Sequence, residues 1–133
     1  MEVALDSSVE AARPEVDLTF DFPRTIRVRC TADYRHIQGR GRRVHRRDLL
    51  ALYLPGECEQ SRFGLTVSRK VGGAVVRNRV KRMLREAVRH ERHCMVNSWD
   101  VVFIARASAA EADAAELRRQ VHGMLVKIDR RKR

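Results

Sequence analysis

The sequence is poor in cysteine, with three among 133 residues. Cys30, Cys58 and Cys94 are odd in number and show no CxxC spacing, so neither a disulfide framework nor a cysteine zinc site is favoured. We interpret all three as reduced thiols. His90 and His93 lie close to Cys94, but without a fourth ligand this group is better explained as a surface histidine pair beside a packed thiol than as a metal site.

Long apolar runs are also missing. The longest, residues 49–54 and 101–105, have the length of strands and are far too short to cross a membrane. The first residues are acidic and lack the basic flank and the apolar stretch of a signal peptide. We therefore expect no membrane span and a cytoplasmic protein.

Catalytic and nucleotide-binding motifs are lacking as well. No carboxylate pair or Ser/His/Asp set stands in a motif that catalysis would need, so we predict no catalytic residue. Gly72 and Gly73 stand between a predicted strand and a predicted helix, but neither GxGxxG nor GxxxxGK[ST] is present. The glycine pair predicts a turn with unusual backbone angles instead.

Acidic residues are concentrated at the start of the chain. Residues 1–21 carry six acids and one arginine, a net charge of −5, so residues 22–133 carry +16 although the whole chain sums to +11. We predict a disordered acidic extension over residues 1–21 and a single domain over residues 22–133. So basic a domain implies a polyanionic partner, with an acidic membrane surface as the less favoured alternative.

The apolar pattern of the domain predicts alternating helices and strands. A short helix is expected over residues 32–38, ended by glycine, and a strand over residues 49–54. Apolar residues alternate over residues 62–68, which predicts a strand buried on one face. A helix over residues 77–92 and a continuously apolar strand over residues 99–105 complete a βαβ unit.

Weaker signals suggest the remaining elements. Ser108 and Glu111 fit a capping box for a last helix, and Asn78 could cap the helix before it. The run of residues 42–47 is too charged to belong to a core. These elements predict an α/β sandwich, in which a mixed sheet of about four strands is covered by two longer helices and a short one. The apolar stripe of the last helix consists of Leu117, Val121, Met124, Leu125 and Ile128.

The helix over residues 77–92 is apolar on one side and cationic on the other. Glu86 is the only acid between Arg77 and Arg89, so cations one turn apart repel each other by roughly 0.2 to 0.5 kcal/mol per pair. A phosphate backbone would neutralise such a side and release counterions, so we favour nucleic-acid binding over a solvated surface. The apolar stripe consists of Val80, Met83, Leu84, Ala87 and Val88.

An ordered block of residues runs through this strand, turn and helix. It resembles the signature of the protein component of bacterial ribonuclease P, and looser similarity extends from residue 22 to the end. The resemblance implies a left-handed crossover through the cationic helix, although roughly 98% of such crossovers are right-handed. The block reads Ser68-Arg69-Lys70-Val71-Gly72, Ala74-Val75, Arg77-Asn78-Arg79-Val80-Lys81-Arg82 and Leu84-Arg85-Glu86.

The resemblance also implies a function. In that family the large RNA subunit, with bound magnesium ions, removes the 5′ leader from precursor tRNA, and the protein assists. This chain would then be the non-catalytic subunit of a tRNA-processing endoribonuclease. Its partners would be the catalytic RNA and precursor tRNA, and the protein alone would be a monomer that binds no cofactor itself.

The resemblance assigns two groups of residues to RNA. A cleft between the sheet and the first helix, which would hold the single-stranded leader, is matched by Tyr34, Phe63, Thr66 and Ser68. A base stacked on Tyr34 would be worth roughly 1 to 3 kcal/mol, although packing of this ring in the core is an equal alternative. The face toward the catalytic RNA is matched by Arg69, Lys70, Arg77, Asn78, Arg79, Lys81, Arg82, Arg85 and Arg89.

The chain departs from the family's pattern in three places. Gln38 stands where many relatives carry a second aromatic, Gly73 replaces a residue that is often polar or basic, and residues 1–21 have no counterpart. Two other functions stay open at this point. A ribosomal or other structural RNA-binding protein would share the charge and the fold, whereas a DNA-binding regulator would need a second helix packed across the cationic one.

Overall fold

The computed structural model describes residues 31–56 and 60–131. The predicted acidic extension, Cys30 and Cys58 lie outside these ranges. No helix within them is long and apolar enough to span a bilayer. The elements are α1 (Thr31–Arg40), β1 (Arg42–His45), β2 (Leu49–Pro55), β3 (Arg62–Thr66), α2 (Ala74–Glu91), a 3₁₀ turn (Arg92–Cys94), β4 (Trp99–Ala105), a second 3₁₀ turn (Ala107–Glu111) and α3 (Ala114–Asp129).

The four strands form one mixed sheet in the order β1-β2-β4-β3. Strand β2 pairs antiparallel with β1 and with β4, whereas β3 pairs parallel with β4. Helix α2 joins β3 to β4 and completes the predicted βαβ unit. The predicted fold class, an α/β sandwich around a mixed sheet, is confirmed, and the left-handed crossover stays a prediction.

The larger core lies on one face of the sheet, beneath α2 and α3. The predicted stripe of α3 is buried throughout, and that of α2 is buried except for Met83, which packs at the margin. Tyr53 and Trp99 meet edge to face in this core, with ring centroids 5.6 Å apart. Each large apolar side chain buried here contributes roughly 1.5 to 3 kcal/mol of transfer free energy, so this face anchors both long helices.

Helix α1 covers the opposite face of the sheet. Tyr34 and Ile37 pack there on Leu52 and Val102, which point away from the larger core. The fit is close, because a Cβ on Gly64 would lie 2.5 Å from Tyr34 Oη. Strand β3 is therefore buried on both faces, whereas its alternating pattern predicted burial on one.

Strand β1 forms an edge of the sheet and is the one of about four expected strands that the sequence analysis did not locate. Val44 is the only buried residue among its four, yet β1 pairs with β2 along its whole length. An edge strand needs few apolar residues, and charged side chains on it discourage pairing with another chain. The charge of residues 42–47 therefore excludes a central strand but not an edge strand.

Both predicted helix caps are wrong. Asn78 lies inside α2, which has Gly73 as its N-cap residue and no side-chain cap bond. Helix α3 begins well after Ser108, and Asp113 is its cap: the Asp113 carboxylate accepts the main-chain N–H of Glu116 at 2.8 Å. The capping-box pattern is thus present in the chain, but five residues later than predicted.

Candidate nucleic-acid interface

A tight turn joins β3 to α2 and exposes two cations. Ser68 Oγ accepts the main-chain N–H of Lys70 at 3.3 Å, and Ser68 O accepts that of Val71 at 3.1 Å. Gly72 then adopts a φ of +156°, at which any larger residue would be strained. The predicted turn with an unusual backbone angle is confirmed, and it presents Arg69 and Lys70 to solvent.

The outer side of α2 is cationic from its first turn onward. The first turn of α2 contains no acidic residue, so no negative side chain offsets the positive end of the helix dipole there. Arg77 is half-buried beside the apolar stripe, and its Nε is buried without a hydrogen-bond partner in the described part of the chain. A ligand's acceptor would satisfy such a donor. The residues on this side, called the α2 surface below, are Arg77, Asn78, Lys81, Arg82 and Arg85.

Arg79 lies on the other flank of α2. Its guanidinium donates to the main-chain oxygen of Ala110 and lies 3.9 Å from Met83 Sδ. The side chain thus ties α2 to the 3₁₀ turn that precedes α3, and it does not join the α2 surface. Its matched position in the family's signature still makes RNA contact a prediction.

Arg89 is engaged within its own helix. Its Nε and Nη2 donate to the two carboxylate oxygens of Glu86 at 2.9 and 3.0 Å. This paired geometry lowers the net positive charge near the C-terminal end of α2. The cationic character of the helix is therefore greatest toward its N-terminal half and the turn before it.

The residues matched to a leader cleft do not share one surface. Tyr34 and Thr66 lie on the α1 face of the sheet and are 1% and 0% exposed. Ser68 is 6% exposed and is held in the turn described above. Phe63 points into the larger core on the opposite face of the sheet from Tyr34 and Thr66. The sequence contained a signal for this separation, because Phe63 and Thr66 are three positions apart in a strand and such residues point to opposite faces of the sheet.

A groove of about 940 Å³ runs between α2 and α3. On its wall Glu91 accepts from Arg118 Nε at 2.5 Å and lies 2.8 Å from His122 Nδ1. The hydrogen bond from Arg118 holds the pKa of the Glu91 carboxyl below its usual range, despite the opposing effect of burial. Sequence reasoning missed this cluster because its members belong to different helices and show no local spacing.

The described residues hold no group of three or more His, Cys, Asp or Glu side chains that could bind a metal ion. Cys94 is half-buried, and burial raises the pKa of its thiol. A protonated thiol is a poor nucleophile and a poor metal ligand.

Comparison with known proteins yields a consistent set of relatives. The sequence model of the family described as Ribonuclease P matches residues 22–129. The chain is 36% identical to the ribonuclease P protein component of Caldanaerobacter subterraneus subsp. tengcongensis over 101 residues, which cover 76% of this chain and 87% of that protein. It is 45% identical to the protein component of Desulfovibrio desulfuricans over 92 residues, which cover 68% and 71%.

Solved structures agree with the sequence relatives. The ribonuclease P protein of Thermotoga maritima superposes with a TM-score of 0.70 at 27% identity, covering 76% of this chain and 96% of that one. The protein of Staphylococcus aureus superposes with a TM-score of 0.69 at 27% identity, covering 79% and 95%. The family match spans most of the chain and includes the turn, α2 and the sheet described above. This chain therefore belongs to the ribonuclease P protein family, whose members are the protein components of the tRNA-processing ribonucleoprotein.

Proposed function

We propose that this chain binds the catalytic RNA of ribonuclease P through the α2 surface and the turn before it, and assists that RNA in removing the 5′ leader of precursor tRNA. The observation that carries the proposal is the concentration of cations from Arg69 to Arg85, in which no acid occurs. These cations follow one another through the turn and along α2, and the first turn of the helix contains no acidic residue that could neutralise them.

The chemistry of this region suits a phosphate backbone. Arg69 and Lys70 are exposed just before the start of α2, where main-chain N–H groups and the helix dipole also favour an anion, and Arg82 is exposed near the middle of the helix. Guanidinium groups bind phosphate oxygens in pairs, and each neutralised phosphate releases counterions. These interactions position an RNA without reading its sequence.

The leader is proposed to lie on the α1 face of the sheet, near Tyr34, Thr66 and Ser68. Stacking of a base on Tyr34 would require its ring to swing away from Gly64, since the side chain is 1% exposed. Phe63 would support this region only from beneath, through the larger core. A role for Thr66 is favoured by its buried Oγ1, which has no hydrogen-bond partner in the described part of the chain.

The remaining parts of the proposal follow from the family. Hydrolysis would occur at magnesium ions held by the RNA, and the protein would supply no catalytic group and bind no cofactor. We expect the protein to work in the cytoplasm and to be monomeric before it joins the RNA.

The test is cleavage of precursor tRNA by a bacterial ribonuclease P RNA at low magnesium, with and without this protein. The RNA alone should be nearly idle, because its own charge repulsion is then poorly screened. We expect correct 5′ ends only when the protein is added. RNA binding without stimulation would instead favour a ribosomal or general RNA-binding protein.

A further inference from the structure

A row of side chains crosses the α1 face of the sheet from one edge to the other. Thr66 of β3 pairs with Ile104 of β4, Ile104 pairs with Leu50 of β2, and Leu50 pairs with His45 of β1. Three strand spacings separate its ends, a distance of about 14 Å. The row begins at Thr66, beside the proposed leader site, and ends on the edge strand.

This row lies beside α1, not under it. Tyr34 and Ile37 cover the adjacent row, which includes Gly64 and Val102. Ile104 and Leu50 pack against that cluster but remain partly exposed. Ile104 and Leu50 thus form a partly exposed apolar surface along the side of α1, which we call the apolar shelf.

Cationic side chains lie at the β1 end of the shelf. Arg106 Nη2 lies 2.7 Å from His45 Nδ1, so the guanidinium donates to the ring and is held against β1. Arg43 precedes His45 by two positions on the same strand and therefore shares its face of the sheet. All three side chains are exposed. The stretch from residue 34 to residue 47 contains six arginines and no acid.

This cationic end is separate from the α2 surface. Helices α2 and α3 pack on the opposite face of the sheet, and β3, which α2 follows, is the edge strand farthest from β1. The charges of Arg43 and Arg106 therefore do not belong to the surface already assigned to the catalytic RNA. The signature block does not include them either.

We propose that Arg43 and Arg106, with His45 positioning Arg106, bind phosphates of the 5′ leader after it has crossed the sheet along the partly exposed Ile104 and Leu50. The inference rests on the proposed function and adds a far end to the leader path. The occupant is a single RNA strand, because the shelf is one row wide and the cations stand at its end. A short leader would stop on the shelf, and a longer one would reach the cations.

The test compares the affinity of the reconstituted holoenzyme for precursor tRNAs with a leader of one nucleotide and a leader of about ten, a length within the range that single-strand-binding domains cover. The variant is Arg43→Gln/Arg106→Gln. For the long leader we expect affinity to fall roughly tenfold, and the salt slope to flatten by about 0.7 for each single-strand phosphate that the variant no longer neutralises. For the one-nucleotide leader we expect no change.

A matched control is Lys127→Gln/Arg130→Gln. It removes the same charge from exposed positions at the end of α3, on the other side of the molecule. This control should bind both substrates as the wild type does. Restoration of long-leader binding by Arg43→Lys/Arg106→Lys would further support a charge interaction, and equal thermal melting of all variants would show that folding is intact.

Two results would overturn the inference. Equal loss for both leader lengths would assign these cations to the catalytic RNA or the tRNA body, and no loss for either would remove them from RNA binding. Failure of the proposed function looks different: the wild-type protein would then give no gain in affinity with any leader. Measurement of the wild-type protein therefore distinguishes failure of this inference from failure of the proposed function.

Discussion

Arg79 of α2 donates its guanidinium to the main-chain oxygen of Ala110, in the turn that leads to α3. The hydrogen bond joins residues 31 positions apart in the chain and holds the start of α3 against α2. An arginine of the signature block is thus half-buried in a structural role. Arg82, three positions later, is exposed on the α2 surface.

Exchange of these two arginines for glutamine should therefore have different effects. Arg79→Gln loses a charge-assisted hydrogen bond and should lower the free energy of unfolding by about 1 kcal/mol. Arg82→Gln should change it by less than about 0.5 kcal/mol, because the side chain is exposed. Urea unfolding of both variants measures this. Unchanged stability of Arg79→Gln together with weakened RNA binding would instead place Arg79 on the RNA interface.

Charge removal on the α2 surface should weaken binding to the catalytic RNA. Each neutralised phosphate contributes about 0.9 to the slope of log affinity against log salt for duplex nucleic acid, so Arg82→Gln/Arg85→Gln should flatten the slope by about 2. Filter binding over a salt series measures this slope, with Lys127→Gln/Arg130→Gln as the control for total charge. A slope equal to that of the wild type would remove the α2 surface from the interface.

The two glycines before α2 should respond differently to substitution by serine. Gly72→Ser places a side chain at φ +156° and puts a Cβ 3.0 Å from Val76, so we expect a loss of roughly 1 to 3 kcal/mol. Gly73 has a φ of −72°, and a Cβ there would meet no atom within 4 Å. Because serine is a favoured N-cap, Gly73→Ser should be neutral or stabilise by a few tenths of a kcal/mol. Thermal unfolding compares the pair, and equal losses would contradict the proposed geometry.

The Glu91 cluster should make stability fall in acid. The pKa of this carboxyl lies below its usual 4.5 in the folded chain, chiefly because of Arg118, so the folded state binds fewer protons than the unfolded state in that range. The stabilisation is complete above the unfolded pKa and is lost as the pH falls through the folded one. Glu91→Gln should be less stable than the wild type at neutral pH and should lose less on acidification.

Urea midpoints at about pH 7 and about pH 3 measure this difference. Asp48 and Glu116 also have lowered pKa values, so the variant should keep part of the acid sensitivity. Parallel pH profiles for the variant and the wild type would show that the ion pair with Arg118 contributes nothing to folding.

The sequence by itself determined the features that repeat along the chain. A period of 3.6 residues selects the buried stripes of α2 and α3, and both stripes were predicted residue by residue except for the marginal place of Met83. The clustered cations and the glycine turn before α2 are equally local. These features follow from backbone geometry and charge, which neighbouring residues fix without help from the rest of the fold.

Only the tertiary structure decided which residues meet across elements. Strand pairing makes β1 an edge and aligns Thr66 with His45 across the sheet, and no pattern in a single segment specifies that register. The packing of α3 turns Arg79 inward, and the packing of α1 buries the second face of β3. Such contacts depend on free energies summed over distant parts of the chain. The signature block could therefore indicate RNA binding, but it could not determine which of its arginines face solvent.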